Sequence, residues 1–191
     1  MASLFRLRRS RGPADLAMDM AGVRLGERVL QAGIADPRVF ALIAGKAGLT
    51  GRASAVVDTP AAAQRIEAAA AREGVLVEVA TVEHGLWPYD PASFDLGLVD
   101  GNALLTADAA SRHHRLQEMQ RVIRAGGRVL VVYRASRGLA GRLGFASRSR
   151  GPSAHGEALV EAVKGAGFRP VRLLAEREGM TFVEGFRPSV I

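Results

Sequence analysis

Apolar and polar residues follow two alternating periods along the chain. Short, nearly continuous apolar runs are typical of buried strands, and apolar residues three or four positions apart are typical of helices. The runs predict strands over 28–32, 52–57, 75–82, 94–99, 128–133, 169–174 and 180–186, and the spacing predicts helices over 15–21, 37–47, 60–73, 108–124 and 157–166.

The turn after the first strand carries strong local signals. Gly33 permits a sharp turn, Asp36 can cap a helix with its carboxylate, and Pro37 suits the first helical position. In alternating folds, ligands lie beyond the carboxyl ends of the parallel strands. We therefore expect a small-molecule ligand to lie over residues 33–37.

The order of the elements predicts an α/β fold. Strands that alternate with helices form a mostly parallel sheet with helices on both faces. A short charged turn joins the last two strands, which predicts an antiparallel last strand. We expect a Rossmann-like, seven-stranded sheet with 28–32 near its centre. The predicted domain covers 22–191 and follows a basic arm and short helix over 1–21.

Composition narrows the classes of protein. The chain has 191 residues, of which 48% are hydrophobic, enough for one domain with its own core. The absence of cysteine excludes disulfides, thiolate zinc sites and a cysteine nucleophile. The four histidines have no metal-ligand spacing, so we predict no metal site. No apolar run has the length of a membrane span, and no secretory signal precedes the domain, so we expect a cytoplasmic protein without a transmembrane segment.

Arginine supplies nearly all of the positive charge. The formal net charge is +7, and Lys46 and Lys164 are the only lysines. A coding preference for arginine is the simpler explanation of this charge. Arginine binds phosphates and carboxylates through paired hydrogen bonds, so the charge also permits an anionic partner. The segment 134–155 is long, polar and rich in arginine. We interpret it either as a lid over an anionic or amphipathic substrate or as a solvated loop.

Three segments of the chain resemble one protein family. LWPYD at 86–90 with SFD at 93–95 resembles the family's approach to its fourth strand. LQEMQRVIRAGGR at 116–128 and AGF at 166–168 resemble the elements before its fifth and sixth strands. On these motifs the chain, over about 22–186, resembles the class I S-adenosylmethionine-dependent methyltransferases. The small-molecule group that includes the quinone-biosynthesis enzymes is the most similar.

This resemblance implies S-adenosylmethionine as the cofactor. The family's acid at the end of the second strand, which binds the ribose hydroxyls, falls on Asp58. The positions near the adenine fall on Glu83 and His84. Gly33 takes the place of the first loop glycine, and Gly101 lies beside the expected centre of methyl transfer.

The acceptor is expected to be a small molecule. Asn102, Arg134 and Arg137 are the candidate substrate-binding residues, since they follow the fourth and fifth strands on the expected ligand side. No residue is assigned as the catalyst, because in-line methyl transfer relies mainly on the positioning of the acceptor. The sequence leaves the acceptor and the oligomeric state open.

The glycine loop departs from the family pattern. Gln31 stands where the family has an acid, and Ala35 and Pro37 replace two glycines. Asp36 is expected to cap the helix with its own carboxylate, which leaves the helix amides less available to a ligand. The sequence therefore predicts that binding of S-adenosylmethionine is weak or lost.

Two other functions remain open at this stage. The altered loop favours a catalytically inactive methyltransferase-like binding or scaffold protein. The net charge and the arginines between 134 and 150 favour a nucleic-acid methyltransferase. An Asn-Pro-Pro-aromatic motif and an appended RNA-binding module are both missing, so nucleic acid is the least favoured partner.

Overall fold

The computed structural model describes residues 12–34, 36–83, 85–135 and 152–189. Its strands are β1 (Arg28–Ala32), β2 (Arg52–Val57), β3 (Glu78–Thr81), β4 (Phe94–Asp100), β5 (Ile123–Arg134), β6 (Val171–Arg177) and β7 (Met180–Phe186). Its helices are α1 (Pro13–Ala21), α2 (Pro37–Ala47), α3 (Pro60–Glu73), α4 (Gly101–Thr106), α5 (Ala109–Val122) and α6 (Ala154–Gly165).

The seven strands form one mixed sheet in the order β3-β2-β1-β4-β5-β7-β6. The pairs from β3 through to β5 are parallel, and β7 runs antiparallel to both β5 and β6. The predictions of a Rossmann-like sheet, of a near-central first strand and of an antiparallel last strand are confirmed.

Helices cover both faces of the sheet because successive residues of each buried strand point to opposite sides. Val29 and Leu96 pack with α1, α2 and α3 in one hydrophobic cluster. Leu30 and Val99 pack with α4, α5 and α6 in the other. This double burial explains why the central strands read as continuous apolar runs.

Several elements differ from the predicted ones. β3 begins at Glu78 rather than at 75, because the Val75 amide donates to the Ala70 carbonyl and still belongs to the end of α3. α4 starts at Gly101 where a loop was expected, since the Asp100 carboxylate caps the amides of Asn102 and Ala103. β5 begins at 123 rather than 128, with a register shift opposite Phe94–Leu96.

The segment 134–155 is shorter at its carboxyl end than expected. Residues 154 and 155 belong to α6, whose first turn is capped by the Ser153 hydroxyl. Residues 136–151, which make up most of the expected lid, lie outside the described residues, as do 1–11 of the expected basic arm. The helix expected over 15–21 is present as α1 and begins at Pro13.

Candidate functional site

A cavity of about 530 Å³ opens at the carboxyl ends of β1, β2 and β3. This volume lies within the range of small-molecule sites, roughly 300–1,000 Å³. The first turn residues after these strands face residues from the first half of α5. The lining consists of Ala32, Gly33, Val56, Asp58, Thr59, Val82, Glu83, Gly85, Trp87, Ala110, Ser111, His114 and Arg115. We call this the larger cavity of the carboxyl edge, or the larger cavity for short; a groove of about 660 Å³ opens at the amino ends of β2 and β3.

The carboxylate of Asp58 meets a cation inside the larger cavity. Arg115 donates from Nη2 to Asp58 Oδ2 at 2.6 Å, and the two side chains are 25% and 50% exposed. A carboxylate has two oxygens that accept hydrogen bonds, so a vicinal diol at Asp58 would share or displace this contact. Access of a diol to Asp58 therefore depends on Arg115.

Gly33 forms the base of the larger cavity between two neighbouring strands. Its φ of +79° is a backbone conformation that favours glycine, and its amide donates to the Val56 carbonyl at 2.9 Å. The buried Gln31 amide donates from Nε2 to the Gly33 carbonyl at 3.0 Å. An added Cβ at Gly33 would lie 3.3 Å from the Cβ of Asp100, so the Asp100 side chain borders this turn.

α5 holds the outer wall of the larger cavity. The His114 ring nitrogen Nε2 lies 2.9 Å from the Gly85 carbonyl oxygen. Glu118 accepts from the Trp87 amide at 2.8 Å and from Arg121, and Arg121 also donates to the carbonyls of Trp87 and Tyr89. The Arg121 hydrogen bonds hold the pKa of the Glu118 carboxyl below its usual range despite burial. A charged network therefore fixes the loop that follows β3.

A second cavity, of about 40 Å³, lies between α1, α2 and the sheet. Asn102 donates from Nδ2 to the Arg134 carbonyl at 2.7 Å and accepts the Arg134 amide at 2.8 Å. The Arg134 guanidinium pairs with Asp36 at 3.2 Å. The lining is mainly apolar, with these polar groups at one end. It consists of Ala17, Gln31, Asp36, Val39, Ile43, Leu98, Val99, Asn102, Leu130, Val132, Arg134 and Met180. We call this the smaller cavity.

Asp100 is the carboxylate at the end of β4, the strand next to β1. Its Oδ1 accepts the amides of Asn102 at 2.9 Å and of Ala103 at 3.4 Å. Burial raises the pKa of this carboxyl above its ordinary value, although the two amide hydrogen bonds and the charge of Arg115 oppose the increase. A cation near Asp100 would stabilise its charged form.

The structure brings together some of the expected site residues and separates others. Gly33, Asp58 and Glu83 line the larger cavity. Gly101 is buried against β5, where an added Cβ would lie 2.9 Å from the Cβ of Tyr133, and it is not part of that lining. His84 and Arg137 lie outside the described residues.

Asn102 and Arg134 are in contact but line the smaller cavity. Sequence reasoning missed His114 and Arg115 as site residues because each meets its partner through the tertiary fold alone. The exposed His114 and the buried Trp87 both line the larger cavity. In the described part of the chain, no group of three His, Asp or Glu side chains could hold a metal ion.

The fold is shared with S-adenosylmethionine-dependent methyltransferases of known structure. An Aquifex aeolicus SAM-dependent methyltransferase matches with a TM-score of 0.69 at 16% identity, over 92% of this chain and 93% of that chain. A TehB-like SAM-dependent methyltransferase from Corynebacterium glutamicum matches with a TM-score of 0.62 at 14% identity, over 89% and 86%.

The [4+2]-cyclase SpnF has the same fold, with a TM-score of 0.67 at 16% identity, over 93% of this chain and 80% of that chain. No family model and no curated protein sequence matches the chain. At these identities the likeness defines the class of fold, that of the class I methyltransferases, and leaves the reaction to be argued from the site. None of the helices in the described ranges combines the length and apolar character needed to cross a membrane.

Proposed function

We propose that the protein is an S-adenosylmethionine-dependent methyltransferase that acts on a small-molecule acceptor. The observation that carries this proposal is the larger cavity, which places Asp58 and Glu83 around Gly33 at the carboxyl edge of a methyltransferase-type sheet. Ligands of open α/β sheets bind at this edge. The proposal keeps Asp58 as the ribose ligand and Glu83 as the residue near the adenine.

The residues present suit the cofactor. The Asp58 carboxylate can accept hydrogen bonds from both hydroxyls of a ribose once the Arg115 guanidinium no longer donates to Oδ2. The buried Trp87 supplies an apolar wall. Bound S-adenosylmethionine would supply a methyl group on a sulfonium centre. The chain's own residues would orient the cofactor and acceptor in line and exclude water, because in-line methyl transfer relies mainly on positioning.

Calorimetric titration tests the proposal. S-adenosylmethionine and S-adenosylhomocysteine should both bind to the purified chain. Asp58→Ala should weaken both by roughly 1.5–3 kcal/mol, the size of a charge-assisted hydrogen-bond contribution. The matched control is Asp90→Ala, which removes an exposed carboxylate from a residue outside the larger-cavity lining. Equal affinities for Asp58→Ala and Asp90→Ala would rule out the ribose role.

The second candidate function is an inactive binding or scaffold protein of the same fold. Two contacts favour it. Asp36 caps α2 by accepting from the backbone amides of Arg38 and Val39, and the Arg115 guanidinium is hydrogen-bonded to one oxygen of the Asp58 carboxylate. This candidate predicts no heat of binding with either cofactor form. The arginines that favour a nucleic-acid substrate lie largely outside the described residues, so transfer of a labelled methyl group to RNA or DNA is an outcome to be measured alongside.

The proposed acceptor is anionic or amphipathic, and Arg134, Arg137 and Asn102 remain its proposed contacts. Shortening residues 136–151 to a Gly/Ser linker separates the two interpretations of this segment. A lid predicts loss of turnover with cofactor binding retained, whereas a solvated loop predicts unchanged turnover.

A further inference from the structure

The carboxyl edge of the sheet carries a row of charged side chains that continues past the larger cavity. Asp58 follows β2, Gly33 follows β1, Asp100 ends β4 and Arg134 ends β5. These four strands are consecutive in the sheet. Neighbouring strands are about 4.8 Å apart, so the row spans three intervals, roughly 14 Å. Along the row, the Asp58 carboxylate is followed by the uncharged turn at Gly33, then by the Asp100 carboxylate and the Arg134 guanidinium.

We propose that Asp100 and Arg134 bind the amino-acid end of the cofactor. The Asp100 carboxylate would bind the cofactor's ammonium group, and the Arg134 guanidinium would bind the cofactor's carboxylate. This inference rests on the proposed function. It assigns to two side chains the binding for which the altered glycine loop and Gln31 are poorly suited. In this assignment the Arg134 guanidinium contacts the cofactor, and Asn102 and Arg137 remain the proposed contacts of the acceptor.

Asp100 is positioned for the ammonium by its contact with the Gly33 turn. The register pairs Ala32 with Val99, so the next residues, Gly33 after β1 and Asp100 at the end of β4, also lie side by side. Gln31 is neutral and buried, and its amide donates to the Gly33 carbonyl. Asp100 therefore supplies the carboxylate next to this turn, where the family has an acid at the position of Gln31. Its raised pKa, caused by burial, is consistent with a site that a cation would complete.

Arg134 is positioned for the carboxylate by two contacts of different strength. Its backbone is fixed by the reciprocal hydrogen bonds to the Asn102 amide. Its side chain pairs with Asp36 through Nη2 at 3.2 Å, and these two side chains are 49% and 30% exposed. Exposed pairs of this kind contribute little to stability, so a ligand carboxylate can replace or share the contact. Arginine has five donors in a planar fork, which suits a carboxylate.

The helix amides that a glycine loop would offer are already engaged. Asp36 accepts from the amides of Arg38 at 3.1 Å and Val39 at 3.4 Å, and Pro37 has no amide hydrogen. A ligand carboxylate at this turn therefore finds its donors on a side chain. Arg134, already bound to Asp36, is the cation at that position.

Three nucleosides test the assignment because they differ only at the amino-acid end. S-adenosylhomocysteine has both charges, S-adenosyl-3-thiopropylamine keeps the amine and lacks the carboxylate, and 5′-methylthioadenosine lacks both. Each is titrated into the wild-type protein, Asp100→Asn and Arg134→Gln. Asparagine is also a good helix cap, so Asp100→Asn removes the charge while it keeps the start of α4.

The expected result is selective. Asp100→Asn should raise the dissociation constants of S-adenosylhomocysteine and S-adenosyl-3-thiopropylamine by about tenfold each, the equivalent of one charged hydrogen bond. Arg134→Gln should raise the dissociation constant of S-adenosylhomocysteine by about fivefold and leave that of S-adenosyl-3-thiopropylamine unchanged. 5′-Methylthioadenosine should bind equally to all three proteins, which also reports that each variant is folded.

Two matched variants control for charge and capping. Arg38→Gln removes an exposed arginine that pairs with Glu73, and Asp108→Asn changes the cap of α5. Both should bind all three nucleosides as the wild type does.

Other outcomes overturn the assignment. If all three nucleosides bind the wild type with equal affinity, or if the variants weaken 5′-methylthioadenosine as strongly as S-adenosylhomocysteine, the inference fails while the proposed function stands. If none of the three binds to the wild-type protein, the proposed function fails and the inference fails with it.

Discussion

The walls of the larger and smaller cavities are held by different kinds of contact. The outer wall of the larger cavity depends on Glu118, whose side chain is 5% exposed and bonded to Arg121 and the Trp87 amide. The polar end of the smaller cavity depends on exposed side chains, the 3.2 Å pair of Arg134 and Asp36. A buried network is costly to break, whereas an exposed pair can be exchanged for a ligand at little cost. The wall is thus part of the core, and the polar end is suited to recognition.

The largest effect is expected from Glu118→Gln. This change removes the charge that satisfies Arg121 and leaves an imperfect buried network, at a cost of roughly 2–4 kcal/mol in the free energy of unfolding. Urea denaturation measures the loss. Glu161→Gln is the control, because Glu161 is 72% exposed and pairs only locally with Lys164. A loss no larger than that of the control would show that the wall is not held by this network.

The same substitution has a defined pH dependence. The pKa of Glu118 is lowered in the folded state, so its stabilisation is complete above the unfolded value of about 4.3 and is lost as pH falls through the folded pKa. The difference in unfolding free energy between the wild type and Glu118→Gln should therefore be constant near pH 7 and shrink below about pH 4. A difference that grew on acidification would contradict the assigned charge state.

Arg115→Gln tests the larger cavity without breaking its wall. Freeing Asp58 from a partly exposed ion pair should strengthen S-adenosylhomocysteine binding by about two- to fivefold. Arg65→Gln, which removes an exposed arginine from α3, should leave the affinity unchanged. Weaker binding by Arg115→Gln would instead make Arg115 a direct ligand contact.

The smallest effect on stability is expected from Asp100→Asn, which should stabilise the fold while it weakens cofactor binding. Because burial raises its pKa, the folded state disfavours the charged form, and this penalty appears as pH rises through the unfolded value of about 3.9. Asp100→Asn should thus raise the unfolding free energy slightly at pH 7, and the gain should vanish below about pH 4. Thermal denaturation at both pH values measures this. Destabilisation at pH 7 would show that the carboxylate is needed for the fold.

Local chemistry in the sequence was sufficient for much of the architecture. Apolar runs predicted the strands, and the helix starts at Pro37 and Pro60 were confirmed by the caps at Asp36 and Thr59. These features depend on residues within one or two turns of each other. The parallel order followed from the alternation of strands and helices, and the antiparallel end followed from a short turn.

Local reasoning failed where a segment's partner lay elsewhere in the chain. Nothing near Gly101 signals that Tyr133 packs against it. The start of α4 was missed for a different reason, because the Asp100 cap on Asn102 and Ala103 is a local signal that also suits a polar turn. At β3, the end of the preceding helix takes Val75, a competition that β-propensity does not include.

The sequence by itself determined the mixed sheet, its helical layers and the edge at which a ligand is expected. Only the tertiary structure decided which charges meet at that edge. Arg115 reaches Asp58 across 57 positions, and Arg134 reaches Asp36 across 98. Periodicity and capping are properties of neighbouring residues, whereas an ion pair between distant residues depends on strand order and register, which exist only once the sheet has formed.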